Sequence, residues 1–308
     1  MAPIIRTLEA YSIHGHVNPG APEEELVVYK SFFEALLDAD PHSLRFAVGS
    51  ETVAIADRAR TGDTLALRFV SGNSEELPLV YDATTGQVEE VDPGKDRLVV
   101  NGAWVIVVPA RRILVLERRR PGVPVYQIER FLTQFGRQRL GFTEIAVSLN
   151  PIPSDSFTEE VERFTRIREA SLTLRRPNHS WTASAEAMLG ELAESNAAAV
   201  QLQLNADRGQ SLAKDRGIVS ELLRLASRPI NALKNAVVKG QTPAFEGERT
   251  VSLAKHTVKG TARIDPNATP VEQLVPLSEV ATAMIEQISA AEEALESAGG
   301  RELGASPS

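Results

Sequence analysis

A cluster of arginines lies between residues 111 and 139, and its composition suggests contact with phosphate groups. The stretch RRILVLERRRPGVPVYQIERFLTQFGRQR has eight arginines, no lysine and two glutamates, a local charge of +6 in a chain of net charge -8. The planar guanidinium can donate two parallel hydrogen bonds to one phosphate, which a lysine ammonium does not do. We therefore expect this stretch, called the arginine segment below, to contact nucleic acid. Because the whole chain uses arginine far more than lysine, the alternative is that arginine is simply its usual cation.

The expected contacts combine this segment with lysines further along the chain. Aromatic content is only 5 %, and no alternation of basic and aromatic residues predicts a stacking platform for single strands. We therefore expect contact with duplex phosphates that is largely independent of base sequence and sensitive to salt. The predicted DNA-binding residues are Arg111, Arg112, Arg118, Arg119, Arg120, Arg130, Arg137, Arg139, Lys234, Lys239, Lys255 and Lys259. These side chains could instead form a solvated face or pair with acidic faces of the protein.

Signatures of catalysis are absent from the sequence. It has no phosphate-binding glycine loop, no zinc-protease motif and no nucleophile elbow, and without cysteine it can form neither disulfides nor thiolate metal sites. Three weaker groups are His14 with His16, Asp38 with Asp40, and Glu246 and Glu248 with Lys255. We interpret the first as a strand end or loop and the second as capping and turn residues, and the third matches no nuclease pattern tightly. The prediction is a non-enzymatic protein with no catalytic residue, metal or cofactor, and a metal-dependent nuclease remains the alternative.

The elements that must position the arginines are predicted from periodicity. Apolar strands flank Asn101-Gly102, a dipeptide typical of a two-residue hairpin turn. The next strand, Ile113 to Leu116, leads to a break at Pro121-Gly122. After it, apolar residues recur at helical spacing and predict an amphipathic helix from Val125 to Gln138, with Arg130 and Arg137 on a second face.

The pattern of predicted strands and helices along the chain indicates an α+β fold with two domains. Residues 1–139 and 233–298 share strand-rich patterns and are expected to form a β-rich mixed core domain. Residues 140–232 alternate strands and helices, including a helix from Ala183 to Asn196, and are expected to form an inserted ferredoxin-like α/β module. Residues 299–308 are small and polar and predict a disordered tail.

A C-terminal helix closes the core domain. Thr269-Pro270-Val271-Glu272 combines an N-cap, a first-turn proline and a capping-box glutamate, a strong helix-start signal. The narrow apolar stripe that follows suggests a homodimer interface; it consists of Val280, Met284, Ile288, Ala291 and Leu295. Packing of the same stripe on the chain's own sheet is the alternative.

The sequence predicts a cytoplasmic protein. Its N-terminus lacks the basic and long apolar regions of a secretion signal, and no run of 18 or more apolar residues occurs.

The order and texture of these pieces resemble a known family. The apolar strand at Trp104–Val108, the helix through VYQIERFLTQFG, the α/β middle, the stretch FEGERTVSLAKHTVKGTARI and the closing helix from LSEVATAMIEQI are similar to the RexA-type exclusion proteins of temperate phages, themselves akin to RdgC-like DNA-binding proteins. The resemblance implies a DNA-binding homodimer in a bacterial host, with a core domain and a movable second domain. It further implies prophage-encoded defence against superinfecting phage, with a membrane protein encoded alongside. A protein–protein interaction module without a nucleic-acid role remains open.

Overall fold

The structure is a computed structural model. It describes residues 2–18, 25–73, 79–81, 83–84, 86–90, 92–94, 97–175, 199–243 and 245–302. The helix predicted from Ala183 to Asn196 lies outside the described residues.

The described residues confirm a mixed α+β fold with a C-terminal helix. The strands are β1 (Ile4–Val17), β2 (Glu25–Leu26), β3 (Arg45–Val48), β4 (Glu51–Thr61), β5 (Thr64–Asn73), β6 (Leu79–Tyr81), β7 (Val88–Glu90), β8 (Asn101–Val108), β9 (Ile113–Arg118), β10 (Ile145–Pro151), β11 (Arg166–Arg175), β12 (Ala199–Asn205), β13 (Leu233–Thr242), β14 (Phe245–Ser252) and β15 (Lys259–Ile264). The helices are α1 (Tyr29–Asp38), α2 (Val125–Arg139), α3 (Asp155–Glu162), α4 (Gly217–Ala226) and α5 (Pro270–Glu302).

A nine-stranded sheet is built around the long strand β1. Its main path runs β10-β1-β9-β8-β5-β4-β3, and β2 and β15 also pair with β1. On one side β1 pairs with β9, while on the other β15 pairs with its first half and β10 with its second half. Every strand pair of this sheet is antiparallel.

Helices cover both faces of the large sheet because its strands bury side chains on both. On one face, α1 and α2 pack on residues such as Ile13, Phe69 and Val105. On the opposite face, α5 packs on residues that include Leu8 and Ile106. We call these the α2 face and the α5 face.

A second, four-stranded antiparallel sheet carries α3 and α4. Its order is β12-β11-β13-β14. Alternate residues of β11 are buried in a core shared with both helices, which includes Leu172, Leu222 and Phe157. A sheet with helices on one face has the layers of the predicted α/β module.

The positions at which the chain leaves and rejoins the large sheet differ from the predicted boundaries. β10 belongs to the large sheet rather than to the module, and β13 and β14 belong to the four-stranded sheet rather than to the core. Pro153 and Thr257 form an antiparallel bridge where the chain leaves and returns. The inserted unit therefore spans approximately 154–256 instead of 140–232. The residue pattern of the strands is similar in both sheets, so the pattern could not show which sheet these strands join.

One local prediction was wrong, and most of the predicted tail, residues 303–308, lies outside the described residues. Asn101 and Gly102 are not a turn: they begin β8 and pair with Ser71 and Val70. The helix α5 continues to Glu302, into the stretch predicted to be a disordered tail. Extending an existing helix needs no new nucleus, so the helix can continue through Gly299 and Gly300 although glycine is a poor helix former.

Candidate nucleic-acid interface

The helix α2 is fixed on the large sheet by a row of aromatic contacts. The ring of Phe131 meets those of Phe46 and Phe69 edge-to-face, with centroids 5.0 and 5.1 Å apart. Phe135 meets Phe32 of α1 in the same way at 5.4 Å. Because these rings are buried, they set the rotation of α2 and so decide which side chains point outward.

The outward face of α2 carries arginine. Arg130 and Arg137 are exposed, and neither forms an ion pair with a described residue. They are seven residues apart, about 10 Å along the helix axis. Tyr126, one turn before Arg130, is 52 % exposed. Tyr126 was missed by the sequence reasoning, although its spacing of four from Arg130 is a signal that could have identified it.

The C-terminal end of α2 is tied to the loop before β3. Arg139 Nε donates to the carbonyl of Ser43 at 3.1 Å, and its guanidinium lies 5.9 Å from the ring centroid of Phe46. Gln134 Nε2 donates to the carbonyl of Ala47 at 2.9 Å. Arg139 is still exposed, but it follows Arg137 by two residues and therefore lies on the other side of the helix, toward Phe46.

Other arginines of the segment pair with carboxylates of the same chain. Arg111 lies 2.6 Å from Glu293 of α5, and Arg118 lies 3.2 Å from Glu9.

Arg119 lies 3.9 Å from the buried Glu117 and donates to the carbonyl of Gly102 at 3.3 Å. The ion pairs of Arg111, Arg118 and Arg119 are the pairing with acidic side chains that the sequence kept as an alternative.

Arg112 and Arg120 lie at the two ends of β9. Arg112 has a left-handed backbone (φ 56°), and its carbonyl accepts a hydrogen bond from the amide of Ile13 at 2.8 Å. Arg120 is exposed, upstream of α2. Neither forms an ion pair with a described residue.

The four lysines are distributed over the two sheets, and Lys259 shares Glu9 with Arg118 of the arginine segment. Lys239 pairs with Glu169 at 2.8 Å on the four-stranded sheet, Lys259 lies 3.6 Å from Glu9, and Lys255 is exposed in the turn after β14.

Lys234 has a different role, because it joins the two sheets. Its Nζ lies 2.5 Å from Glu129 of α2 and donates to the carbonyl of Leu149 in β10, whose amide donates to the same Glu129. Burial lowers the pKa of Lys234, and the neighbouring Glu129 opposes that shift. Glu129 was also missed by the sequence reasoning, since no local pattern marks a carboxylate that caps an edge strand.

The stripe expected to form a dimer mostly packs on the chain's own sheet. Met284 and Ile288 are buried, and Val280 packs against the same cluster. A Cβ on Gly260 of β15 would lie 2.6 Å from both Val280 and Met284, so the missing side chain allows α5 to lie close to β15. These three residues are therefore unavailable to a second copy, whereas Ala291 and Leu295 are exposed.

The structure also locates members of the weaker candidate groups for metal binding or catalysis. Asp40 accepts from the amide of His42 at 2.7 Å, which confirms a capping role. Glu248 lies 3.9 Å from Arg168. Within the described residues, no group of three or more histidines, aspartates and glutamates is arranged to hold a metal ion.

None of the helices in the described ranges is both long enough and apolar enough to cross a membrane.

Comparison with protein-family models gives a match to part of the chain. The family model "Domain of unknown function (DUF4747)" matches residues 78–229, which include the arginine segment, α2 and the first part of the inserted unit. A search of curated proteins finds no match.

Proposed function

We propose that the protein binds duplex DNA through the outward face of α2, without dependence on base sequence. The observation that carries this proposal is the exposure of Arg130 and Arg137 on one helix face, where no described carboxylate neutralises them. Arg139, exposed at the end of the helix, can add a contact at one end. Arg120, upstream of the helix, can contribute at the other.

The chemistry of this face favours phosphate over bases. Guanidinium groups bind phosphate oxygens through two parallel hydrogen bonds, and the hydroxyl of an exposed tyrosine can add another. Phosphate contacts release counterions from DNA, so affinity falls as salt rises.

Gel shifts with two unrelated duplexes test the proposal. Between about 50 and about 200 mM salt, we expect wild-type affinity to fall roughly tenfold or more for both duplexes. The double variant R130Q/R137Q should bind both more weakly and have a shallower salt dependence, because two phosphate contacts are lost.

The matched control is R163Q/R208Q, which removes two exposed arginines of the inserted unit and should leave affinity unchanged. Absence of binding at low salt would contradict the proposal. It would favour the second candidate, a protein-interaction module whose arginines pair with carboxylates as Arg118 does with Glu9.

The biological setting that we propose is a phage exclusion system in the bacterial cytoplasm. Its support is the resemblance of element order to RexA-type proteins, which also suggests a homodimer and a membrane protein encoded alongside. Expression of the chain with its neighbouring gene should lower the plating efficiency of a superinfecting phage, and R130Q/R137Q should restore it. If wild type and R130Q/R137Q protect equally, exclusion does not depend on the outward face of α2. Light scattering measures the oligomeric state.

A further inference from the structure

A cavity of about 190 Å³ lies on the α5 face of the large sheet, on the opposite side from α2. It forms where α5 begins and leaves part of β5, β8 and β9 uncovered. Its lining residues are Arg68, Gly102, Ala103, Trp104, Glu117, Arg119, Pro270 and Gln273.

Two guanidinium groups meet over Gly102 in this cavity. Arg119 Nη1 donates to the carbonyl of Gly102 at 3.3 Å, and Arg68 Nε lies 3.5 Å from the position that a Cβ on Gly102 would occupy. Strand pairing enforces the arrangement, because Arg68 lies opposite Trp104 and Val70 lies opposite Gly102 on the same face. The absent side chain of Gly102 therefore leaves the space between the two arginines empty.

Positive charge exceeds negative charge around the cavity. Arg6 and Arg119 flank the buried Glu117 at 3.4 and 3.9 Å, and Arg68 pairs with the more exposed Asp57 at 3.0 Å. Three guanidiniums thus face two carboxylates. Oε1 of Glu117 accepts no hydrogen bond, while Oε2 accepts from the amide of Trp104. The indole of Trp104 is occupied as well, since it donates to the carbonyl of Pro270.

A second cavity of about 450 Å³ continues the basic surface. Among the described residues, its lining includes Arg45, Arg97 and Val70 and no acidic side chain. Val70 connects the two cavities, because its Cγ1 lies 3.5 Å from the Cβ position of Gly102. Two arginines line each cavity, and the two neighbouring cavities together are called the trough below.

We propose that this trough binds a small molecule carrying two or more linked phosphates. One phosphate lies between Arg68 and Arg119 above Gly102, and the rest of the molecule extends toward Arg97 and Arg45. Arginine is suited to this role because its fork matches the geometry of a phosphate group. The site is separate from the DNA-binding face of α2, and it does not depend on that proposal.

Calorimetric titration of the full chain with pyrophosphate tests the site, with ATP as a second probe and sodium chloride at equal ionic strength as the blank. We expect saturable binding of pyrophosphate that weakens roughly tenfold or more in R119Q and in R68Q. G102V should abolish binding by filling the cavity. An extended strand accommodates valine, and a Cβ at this position makes only ordinary contacts. Tighter binding of ATP than of pyrophosphate would assign the wider part of the trough to a nucleoside.

Removing a carboxylate tests the opposite change, an increase in affinity for pyrophosphate. E117Q and D57N should bind pyrophosphate more tightly, by roughly two- to fivefold for the exposed Asp57, because each change frees an arginine. D57N keeps this test available if E117Q fails to fold. As a matched control, R163Q/R208Q, which removes two exposed arginines of the inserted unit, should bind pyrophosphate like wild type. Lack of saturable binding by wild type, or unchanged binding in both R119Q and G102V, would overturn the proposal.

Discussion

At the scale of single residues, His14 is the side chain whose ionisation is most strongly altered. It lies on β1, on the α5 face of the large sheet. One ring nitrogen is hydrogen-bonded with Ser12 Oγ at 2.9 Å. Nδ1 has no hydrogen-bond partner. Burial, followed by the positive charges of Arg112, His16 and Lys234, lowers the pKa of His14 to about 3. The ring is therefore neutral in the folded protein at neutral pH.

This shift predicts that the protein loses stability in mild acid. The unfolded chain takes up a proton near the ordinary histidine pKa, whereas the folded chain does so only near pH 3. The stabilisation is complete above the ordinary pKa and is lost as pH falls through the interval between the two values. We expect the free energy of unfolding to fall by about 2 kcal/mol between about pH 7 and about pH 5 through His14.

Urea denaturation at the two pH values measures this change. The variant H14N should have a flatter pH dependence because asparagine does not titrate there. An identical pH dependence in wild type and H14N would assign the acid sensitivity to other groups.

Single residues also mark where sequence reasoning succeeded and failed. The capping role of Asp40 depends on a contact two residues away, so it could be predicted. The Asn101-Gly102 turn was wrong because local turn preference was outweighed by pairing with β5, some thirty residues earlier in the chain. Glycine here leaves room beside Arg68 rather than bending the chain.

At the scale of elements, the start of α5 behaves as its sequence predicts. Thr269 and Glu272 form the capping box: the Thr269 amide donates to Glu272 Oε2 at 2.7 Å, and the Glu272 amide donates to Thr269 Oγ1 at 3.4 Å. The hydrogen bonds that Glu272 Oε2 accepts from the amide and the hydroxyl of Thr269 lower the pKa of Glu272. They also hold the first turn of the helix that covers one face of the large sheet.

Removing this cap should destabilise the protein modestly. We expect T269A to lower the free energy of unfolding by about 1 kcal/mol, measured by chemical denaturation, because the hydroxyl no longer accepts from the amide of Glu272 or donates to its carboxylate. T269S keeps the hydroxyl and should remain near wild type. Equal losses in both variants would show that the methyl group matters rather than the cap.

The apolar stripe of α5 shows what hydrophobic periodicity can and cannot predict. Spacing correctly identified Val280, Met284 and Ile288 as a covered face, but the cover is β15 and its neighbours rather than a second chain. A periodic pattern states that a face is buried and not what buries it. In the same way, α2 was predicted almost to the residue, while its contacts with Phe46 and Phe69 required the folded sheet.

At the scale of the whole molecule, the inserted unit leaves and returns at neighbouring positions. The bridge between Pro153 and Thr257 places its two ends side by side. Beyond that bridge, contacts between the units include Lys234 with Glu129 and Asn150 with the carbonyl of Asn231. Strand order and these contacts depend on long-range pairing, so the sequence alone could not locate the insertion.

This geometry predicts that the unit can be removed. Replacing residues 154–256 with a short glycine–serine link should leave a chain that folds with the large sheet intact, with reduced stability because Glu129 loses Lys234. Circular dichroism and a cooperative thermal transition measure the outcome.

The control removes residues 140–232, the range predicted from sequence. It should aggregate, because it deletes β10 and leaves β13 without β11. A folded control beside an unfolded 154–256 deletion would contradict the assignment of strands to the two sheets.

The end-to-end pairing of β10 and β15 along β1 has a consequence for how the protein is made. During synthesis, β1 lacks half of its partner edge until β15 emerges, after the whole inserted unit has been synthesised. At about 5–20 residues per second, that interval lasts several seconds or longer. The inserted unit can complete its four strands during this time, while the N-terminal half of β1 remains unpaired on that edge and vulnerable to association with other nascent chains.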